Sequence, residues 1–211
     1  MSQILRNKID PNFIREVNQL IDKISYERSL FIFSKKKDLI KLEIEIINKI
    51  KSFIPAIKED LNIDTNDDPY IVIRCVKKID SKMSFTPHFD NYSDTILIPL
   101  MVPSKPPYGE LFLQENSRKQ SNSMFWDLLR KFIYQNIFTA VLIKNFFLKY
   151  FSAIHILPGD AFHFNGYKSL HFNNNCSSER RSILIHMNLA IKDTQILNLF
   201  EFLVYLTHKK N

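Results

Sequence analysis

Apolar residues recur at helical spacing in two segments of the first third of the chain. Asp10-Pro11 combines a capping residue with a proline at the first helical position. The apolar positions that follow run from Phe13 to Ile24 at intervals of three and four residues. A second amphipathic segment covers 37–58, and a polar loop over 62–68 ends it. The pattern therefore predicts that 1–68 forms N-terminal helices.

After residue 68 the pattern changes to short runs rich in β-branched and aromatic residues, which are typical of strands. Pro99 suggests that one of these strands lies at an edge or bends. Helical patterns return over 123–150, as an insert, and over 194–208, as a C-terminal helix. The predicted strands are 70–76, 95–102, 110–114, 152–157, 161–164 and 182–189.

Helices followed by many short strands indicate an α+β protein with a mainly β core of the sandwich or barrel type. A length of 211 residues fits a single domain over 1–211. The chain is 45% hydrophobic and 24% charged, which is ordinary for a soluble globular protein. Composition thus leaves the predicted fold class unchanged.

The two cysteines, Cys75 and Cys176, are far apart and form neither a disulfide framework nor a CxxC metal site. We expect reduced thiols and a cytoplasmic location. The N-terminus is too polar for a signal peptide, and the longest apolar stretch, 137–147, is too short to be a transmembrane segment.

The formal net charge is +7, which is compatible with nucleic acid or another anionic partner. The lysines are scattered, however, with short runs only at 35–37 and 209–210. A solvated basic surface is therefore the preferred interpretation, and nucleic acid is not the expected partner.

The candidate chemistry begins at His88-Phe89-Asp90. In a strand, residues i and i+2 point to the same face, so His88 and Asp90 would project together. His171 is the candidate for a third ligand, with His163 as the competing choice. Two imidazoles and one carboxylate leave three positions of an octahedral Fe(II) ion open for chemistry. The other histidines, His155, His186 and His208, fit no ligand position.

From about 70 to 189 the chain resembles the Fe(II)/2-oxoglutarate-dependent dioxygenases, nearest to the prolyl-hydroxylase and phytanoyl-hydroxylase branches. The resemblance rests on the ordered set of His-x-Asp, a distal His171 and an arginine nine or ten residues later. Gly109-Glu110 and Pro158-Gly159-Asp160 match further elements of the family. It implies a double-stranded β-helix, or jelly roll, over 70–189, flanked by the N-terminal helices and interrupted by the insert 123–150.

The resemblance also implies a site for 2-oxoglutarate, whose distal carboxylate needs a buried cation. Arg180 and Ser182 share one strand face by parity and are the expected pair, and Arg181 is the alternative if the register slips by one residue. Arg74 or Tyr70, on the strand before His-x-Asp, can also reach the co-substrate.

The implied cofactor is Fe(II), held by His88, Asp90 and His171, with 2-oxoglutarate and O2 as co-substrates. The implied reaction releases succinate and CO2 and hydroxylates an unactivated C–H bond of a small molecule, a sugar or lipid, or a peptidyl residue. A catalytically inactive jelly-roll or cupin-like binding protein is one alternative.

A nucleic-acid demethylase is another alternative, but that branch usually carries a second arginine six residues after the first, where this chain has His186. The insert 123–150 can form a lid, a homo-oligomer contact or simply a helix that covers the core.

Overall fold

The computed structural model describes residues 2–27, 29–77, 86–118 and 146–190. Two helices, a 3-10 turn at Leu148–Tyr150 and nine strands lie within these ranges. The predicted insert 123–150 lies outside the described residues except for its last five, and the predicted C-terminal helix 194–208 lies wholly outside them.

The helices are α1 (Pro11–Asp22) and α2 (Lys41–Leu61). The strands are β1 (Gln3–Leu5), β2 (Ser29–Phe33), β3 (Tyr70–Val76), β4 (Tyr92–Met101), β5 (Leu111–Gln114), β6 (Ser152–Ile154), β7 (Ala161–Phe164), β8 (Leu170–Asn173) and β9 (Arg180–Leu189).

The strands form two antiparallel sheets. The large sheet has six strands in the order β1-β7-β4-β9-β3-β2, and the small sheet has three in the order β6-β5-β8. The mainly β core predicted from the sequence is therefore confirmed, with two antiparallel sheets in an arrangement of the β-sandwich type.

The two helices cover one face of the large sheet. The Asp10 side chain caps α1 by accepting the N–H of Asn12 at 2.8 Å, as the sequence predicts. The Glu43 carboxylate accepts the backbone N–H of Ile40 at the start of α2. The helices pack their apolar stripes on the sheet, in a core that includes Val17, Ile21, Ile46, Ile50, Ile71, Ile73, Ile96, Ile98, Ile183 and Ile185.

The region 1–68 is not only helical, because β1 and β2 join the large sheet at its two edges. β1 pairs with β7, and β2 pairs with β3. Pro99 lies within β4, a central strand, where the pairing with β9 shifts register between Pro99 and Met101. The predicted bend is therefore present, whereas an edge position for this strand is wrong.

A second apolar cluster joins the two sheets at residues Leu97, Leu111, Leu113, Ile156, Phe162 and Phe164. Strand β9 contributes to both cores because its side chains alternate. Ile183 and Ile185 face the helices, while Ser182 and His186 face the side of the small sheet. The polar residues of interest thus lie between the sheets. None of the helices among the described residues is long and apolar enough to cross a membrane.

Candidate metal and co-substrate site

The three predicted ligands come together at one point between the sheets. The Nε2 atoms of His88 and His171 lie 3.9 Å and 3.5 Å from Oδ1 of Asp90. One ligand atom from each residue falls within 4.8 Å of the others. His171 and Asp90 are deeply enclosed, whereas the His88 side chain is about a third exposed, at 35%. One side of the cluster is therefore open to an incoming molecule.

Backbone pairing holds the two histidines in place. His88 and His171 form an isolated antiparallel bridge in which each N–H donates to the other carbonyl at 3.0 Å. Asp90 N–H donates to the carbonyl of Gly166, also at 3.0 Å. The expectation that His88 and Asp90 lie in one continuous strand is wrong, because both residues precede β4 and His88 forms only an isolated bridge. Their side chains nevertheless meet.

The imidazole rings are oriented by their second nitrogens. Nδ1 of His88 lies 2.9 Å from the carbonyl of Thr86, and Nδ1 of His171 lies 3.0 Å from the carbonyl of Ser169. A carbonyl only accepts, so each Nδ1 carries the hydrogen and donates it. The Nε2 lone pair of each neutral ring is then available to a metal, and this second-nitrogen bond is typical of metal-bound histidine.

The second oxygen of Asp90 is held by residues that the sequence analysis did not select. The Thr95 hydroxyl donates to Oδ2 of Asp90 at 2.6 Å, and His186 Nδ1 lies 3.1 Å from the same hydroxyl. Because the hydroxyl has one hydrogen, His186 must donate to it. Burial lowers the pKa of His186 and keeps the ring neutral. The alternation of residues along β9 puts His186 on the same face as Arg180 and Ser182, and this pattern could have indicated from the sequence that His186 belongs to the site.

The carboxyl group of Asp90 is ionised in this environment. Burial opposes its ionisation, but the charge of the neighbouring His171 holds the pKa of Asp90 well below its usual range. The pKa of His171 is raised, because the charge of Asp90 outweighs the effect of burial. Without a metal the site therefore favours an aspartate–imidazolium pair, which a divalent cation can replace.

Gly166 permits the close approach of the loop before β8 to Asp90. A Cβ atom at this position would lie 2.3 Å from both Asp90 Oδ2 and Thr95 Oγ1. Side-chain atoms do not tolerate that distance, so any other residue here would displace the carboxylate or its hydroxyl partner. Glycine at 166 is thus a requirement of the site.

Arg118 supports the loop that carries Phe89 and Asp90. The sequence analysis did not select this residue either. Its guanidinium lies over the rings of Phe89 and Tyr167, at 4.3 Å and 3.8 Å from their centroids. It also donates to the backbone carbonyls of Tyr167 and of Asp90, the latter at 3.3 Å. Sequence spacing carries no signal for this role, because the contacts come from a different part of the chain.

The two adjacent arginines of β9 have opposite surroundings. Arg181 faces the helices, where it binds Asp22 and Glu179 at 2.6 Å and 2.7 Å. Arg180 pairs with Val76 on β3 and donates to the side chain of Asn173 at 2.9 Å. Arg180, and not Arg181, is therefore on the face that carries Ser182 and the metal ligands.

Two further residues shape the surroundings of Arg180. Gly109 has φ +76°, and a Cβ there would lie 2.7 Å from Cδ of Arg180, so glycine leaves room for the arginine stem. Arg74 lies on β3 directly opposite Ser182. Burial, and then the charge of Arg74, lowers the pKa of Arg180 to about 10. Two guanidinium groups thus share this part of the site.

An aromatic wall extends from the metal ligands to the edge of the large sheet. The ring of His186 stacks with those of Tyr92 and Tyr70, at centroid distances of 5.3 Å and 5.9 Å. Phe33 stacks on Tyr70 at 6.4 Å, and Phe31 on Phe33 at 6.1 Å. All four outer rings are half-buried, so they offer apolar surface next to the open side of the site.

The remaining histidines take no part in the cluster or lie outside the described residues. His163 Nε2 is 2.7 Å from Oδ1 of Asp94, on the helix-facing side of β7. His155 packs edge-on against Tyr108 at 5.1 Å. His208 lies outside the described residues. Between His163 and His171, the two candidates for the distal ligand, the structure brings His171 to the site.

The donor set fits a divalent transition metal with open coordination positions. Two neutral imidazoles and one monodentate carboxylate supply three ligands on one side, which is the arrangement of non-haem Fe(II) oxygenases. A closed structural zinc site would need a fourth protein ligand, and the cluster found among the described residues has three members.

Comparison with known proteins shows which solved structures share the fold of this chain. No protein-family model and no curated protein matches the sequence. Among solved structures, a prolyl-4-hydroxylase from Pseudomonas putida aligns with a TM-score of 0.52 and 9% identity, over 89% of this chain and 91% of that chain. A prolyl hydroxylase from Trichoplax adhaerens, in complex with a peptide fragment of the hypoxia inducible factor oxygen degradation domain, gives 0.55 and 14%, over 89% and 83%.

An oxidoreductase of the 2OG-Fe(II) oxygenase family from Burkholderia pseudomallei gives a TM-score of 0.57 and 11% identity, over 88% of this chain and 82% of that chain. The chain therefore has the fold of the 2-oxoglutarate- and Fe(II)-dependent oxygenases. The family resemblance stated from the sequence is confirmed at this level.

Proposed function

We propose that the protein is a non-haem Fe(II)- and 2-oxoglutarate-dependent dioxygenase that hydroxylates an unactivated C–H bond. The observation that carries this proposal is the convergence of His88, Asp90 and His171 between the sheets, with Arg180 and Ser182 on the face of β9 that also carries His186. The connectivity of a double-stranded β-helix, predicted from the sequence, forms part of the proposal. The fold shared with 2OG-Fe(II) oxygenases supports it.

His88, Asp90 and His171 would hold the iron, which when bound supplies the redox chemistry of oxygen activation with 2-oxoglutarate as the electron donor. The overall reaction consumes O2 and 2-oxoglutarate, releases succinate and CO2, and inserts one oxygen atom into the substrate. The protein fixes the ligands by backbone pairing and by the hydrogen bonds to each Nδ1 atom. Thr95 and His186 keep Asp90 oriented through its second oxygen.

Arg180 would bind the distal carboxylate of 2-oxoglutarate, with the Ser182 hydroxyl as a second donor. Arg181 is held by Asp22 and Glu179 on the far side of the sheet and is left out of this role. The aromatic wall of Phe31, Phe33, Tyr70 and Tyr92 would border the substrate. A small molecule, a sugar or lipid, or a peptidyl residue can meet such a wall.

The test is release of succinate by purified protein supplied with Fe(II), ascorbate and 2-oxoglutarate, which we expect even without a substrate, at a slow uncoupled rate. His171→Ala should abolish release and metal binding. His163→Ala is the matched control, because it removes an imidazole that binds Asp94 outside the cluster, and it should keep both.

If the wild-type protein neither binds 2-oxoglutarate nor releases succinate after metal reconstitution, the oxygenase proposal is wrong. A protein that bound the metal but never the 2-oxo acid would instead fit the alternative of a binding protein with this fold. If His171→Ala turned over normally, the iron would have to lie elsewhere.

A further inference from the structure

We propose that the turn 146–151 binds the surface of a membrane that contains anionic phospholipids. The observation behind this proposal is a group of three exposed aromatic side chains within five consecutive residues: Phe146, Phe147 and Tyr150 are 65%, 49% and 58% exposed. Single exposed apolar residues are ordinary on a protein surface, whereas a contiguous apolar patch marks an interaction site. The rings of Phe147 and Tyr150 lie 6.2 Å apart and form part of such a patch. The inference goes beyond the proposed function and does not depend on it.

The turn holds these three rings outward because its other two apolar side chains point inward. Leu148 and Phe151 pack on a buried cluster of Phe89, Leu170 and Phe172. The ring of Phe151 meets that of Phe172 edge-on at 5.1 Å, and the N–H of Phe151 donates to the carbonyl of Leu148 at 3.0 Å. The exposed rings are thus mounted on a packed base.

The turn lies on the face of the small sheet that points away from the metal ligands. His171 and Phe172 are neighbours on β8, so their side chains project to opposite faces. His171 reaches Asp90 between the sheets, whereas Phe172 stacks with Phe112 at 5.2 Å on the outer face. A bilayer that contacts the turn would therefore leave the metal site unobstructed.

Charge indicates which kind of membrane surface matches the turn. Over 146–159 the sequence carries one formally charged residue, Lys149, and no acidic residue. Lys149 is exposed, and its ammonium group lies 5.2 Å from the ring centroid of Tyr150. At a membrane an aromatic ring enters the boundary between headgroups and acyl chains, while a neighbouring ammonium group stays with the lipid phosphates. Rings and lysine together therefore match a lipid surface with negative charge.

The wider sequence has the same bias. The stretch 119–159 contributes four of the seven excess positive charges of the chain, because five basic residues stand against one acidic residue. The basic residues are Lys119, Arg130, Lys131, Lys144 and Lys149, and the acidic residue is Asp127. Positive charge close to an apolar patch increases attraction to anionic lipids.

A second copy of the chain matches the turn less well. A stable protein interface takes about 20–30 residues from each partner, and lysine is depleted in such interfaces. The turn offers three rings and a lysine. Membrane binding needs only a few inserted apolar side chains together with electrostatic attraction, so a lipid surface is the occupant that these residues favour.

Sedimentation of the full-length protein with lipid vesicles tests the proposal. The vesicles consist of phosphatidylcholine alone or of an equimolar mixture of phosphatidylcholine and phosphatidylserine. We expect the protein to bind the mixed vesicles, and to bind them less as salt is added. Phe146→Gln combined with Phe147→Gln should lower the partition coefficient at least about 10-fold, since burial of one phenyl ring contributes roughly that factor.

Lys149→Gln should lower the partition coefficient about 5-fold, because one cation near an anionic surface contributes roughly that factor. Lys37→Gln is its control, since Lys37 is also exposed and belongs to the run 35–37. It should bind vesicles as the wild-type protein does.

Ile40→Gln combined with Ile44→Gln is the control for the rings. These side chains are 52% and 44% exposed, at the start of α2 and close in sequence to the lysine run 35–37. This variant should keep wild-type binding. Tyr150→Gln makes the same prediction as the double phenylalanine variant and replaces it if that variant does not fold, which circular dichroism establishes.

Each contrary outcome overturns a stated part of the proposal. If the wild-type protein does not sediment with the mixed vesicles, the turn is not a membrane surface. Equal binding to phosphatidylcholine alone overturns the role of anionic lipid, and unchanged binding by folded variants of the turn places the contact elsewhere. A dimer seen by light scattering that the double phenylalanine variant loses, without vesicle binding, would assign the turn to a second copy of the chain.

Discussion

The backbones of His88 and His171 hydrogen-bond to each other in both directions, at 3.0 Å each. This pairing joins the loop before β4 to β8 of the small sheet, so two predicted metal ligands from distant parts of the chain are fixed by main-chain contacts. Their positions therefore do not depend on a metal to bring them together, and we expect the metal-free protein to be folded with its ligands preorganised.

The bond from Thr95 to Asp90 should matter for metal affinity. Thr95→Val removes the hydroxyl that donates to Oδ2 of Asp90 at 2.6 Å and leaves His186 without its acceptor. Loss of such an outer partner typically costs about 10- to 100-fold in metal affinity, and we expect a decrease in that range. Titration with Fe(II) under anaerobic conditions measures it. Thr65→Val, in an exposed loop, is the control. Unchanged affinity in Thr95→Val would show that Asp90 is oriented by other contacts.

Gly166→Ala should damage the site. The added Cβ would lie 2.3 Å from the Asp90 carboxylate and the Thr95 hydroxyl, which must move apart. We expect a loss of about 1–3 kcal/mol in the free energy of unfolding, together with weaker metal binding. Chemical denaturation and metal titration measure the two effects.

Gly159→Ala is the comparison for this variant. It strains a backbone with φ +103°, but its Cβ would meet only the Asn7 side chain, at 3.8 Å. That variant should lose stability and keep metal affinity. If both variants bound metal equally well, the close approach at Gly166 would not be what shapes the site.

The stability of the metal-free protein should fall as the pH rises above neutral. The pKa of His171 is raised in the folded state, by the charge of Asp90 against the effect of burial. A raised histidine pKa contributes stability that is fully present below the unfolded value of about 6.5 and is lost as the pH rises through the folded value. Denaturation in urea between pH 6.5 and 9, with a chelator present, measures this trend.

Metal affinity should change in the opposite direction over the same range. The Nε2 atom of His171 must lose its proton to bind a metal, so binding releases a proton and tightens as the pH rises through the His171 pKa.

Asp90→Asn removes the charge that raises the pKa of His171 and should therefore flatten the dependence of stability on pH in the metal-free protein. Stability that stayed constant in the wild-type protein would contradict an imidazolium at His171.

Replacing each arginine of β9 with methionine, one at a time, should have two different effects: one variant should lose stability and the other should lose co-substrate binding. Arg181→Met leaves Asp22 and Glu179 without their cation beneath the helices, and we expect a loss of about 3–5 kcal/mol in the free energy of unfolding, reduced in proportion to the exposure of Asp22. Arg180→Met should lose 2-oxoglutarate binding with a smaller effect on unfolding. Calorimetric titration and denaturation of both variants check this. The reverse result would assign the co-substrate role to Arg181.

Much of the fold and of the site could be predicted from residue types and parity. The apolar spacing of α1 and α2, and the β-branched runs of β3 and β9, determine their buried faces directly. The order of His88, Asp90, His171 and Arg180 predicted the residues that the structure gathers between the sheets. Alternation along β9 also predicted that Arg180 and Arg181 would face opposite sides.

What sequence could not predict depends on contacts between distant segments. β1 has only three residues, and its strand character comes from pairing with β7. Arg118 acquires its role from the rings of Phe89 and Tyr167, which no local pattern connects to it. The partnership of Thr95 and His186 with Asp90 likewise requires the register of β4 and β9. The cytoplasmic location, the three substrate classes and the lid, homo-oligomer contact or core-covering helix offered for 123–150 remain predictions from the sequence.

Strand β9 lies in the centre of the large sheet, and its alternate residues serve two different purposes. One set, with Ile183, Ile185 and Arg181, anchors the helices, and the other set, with Arg180, Ser182 and His186, faces the site. A single-residue deletion or insertion within β9 would move every residue on one side of the change to the opposite face, and would disturb the helix-facing core and the candidate site together. We therefore expect the loops and edge strands around the candidate site to tolerate changes of chain length, whereas β9 should tolerate substitutions only.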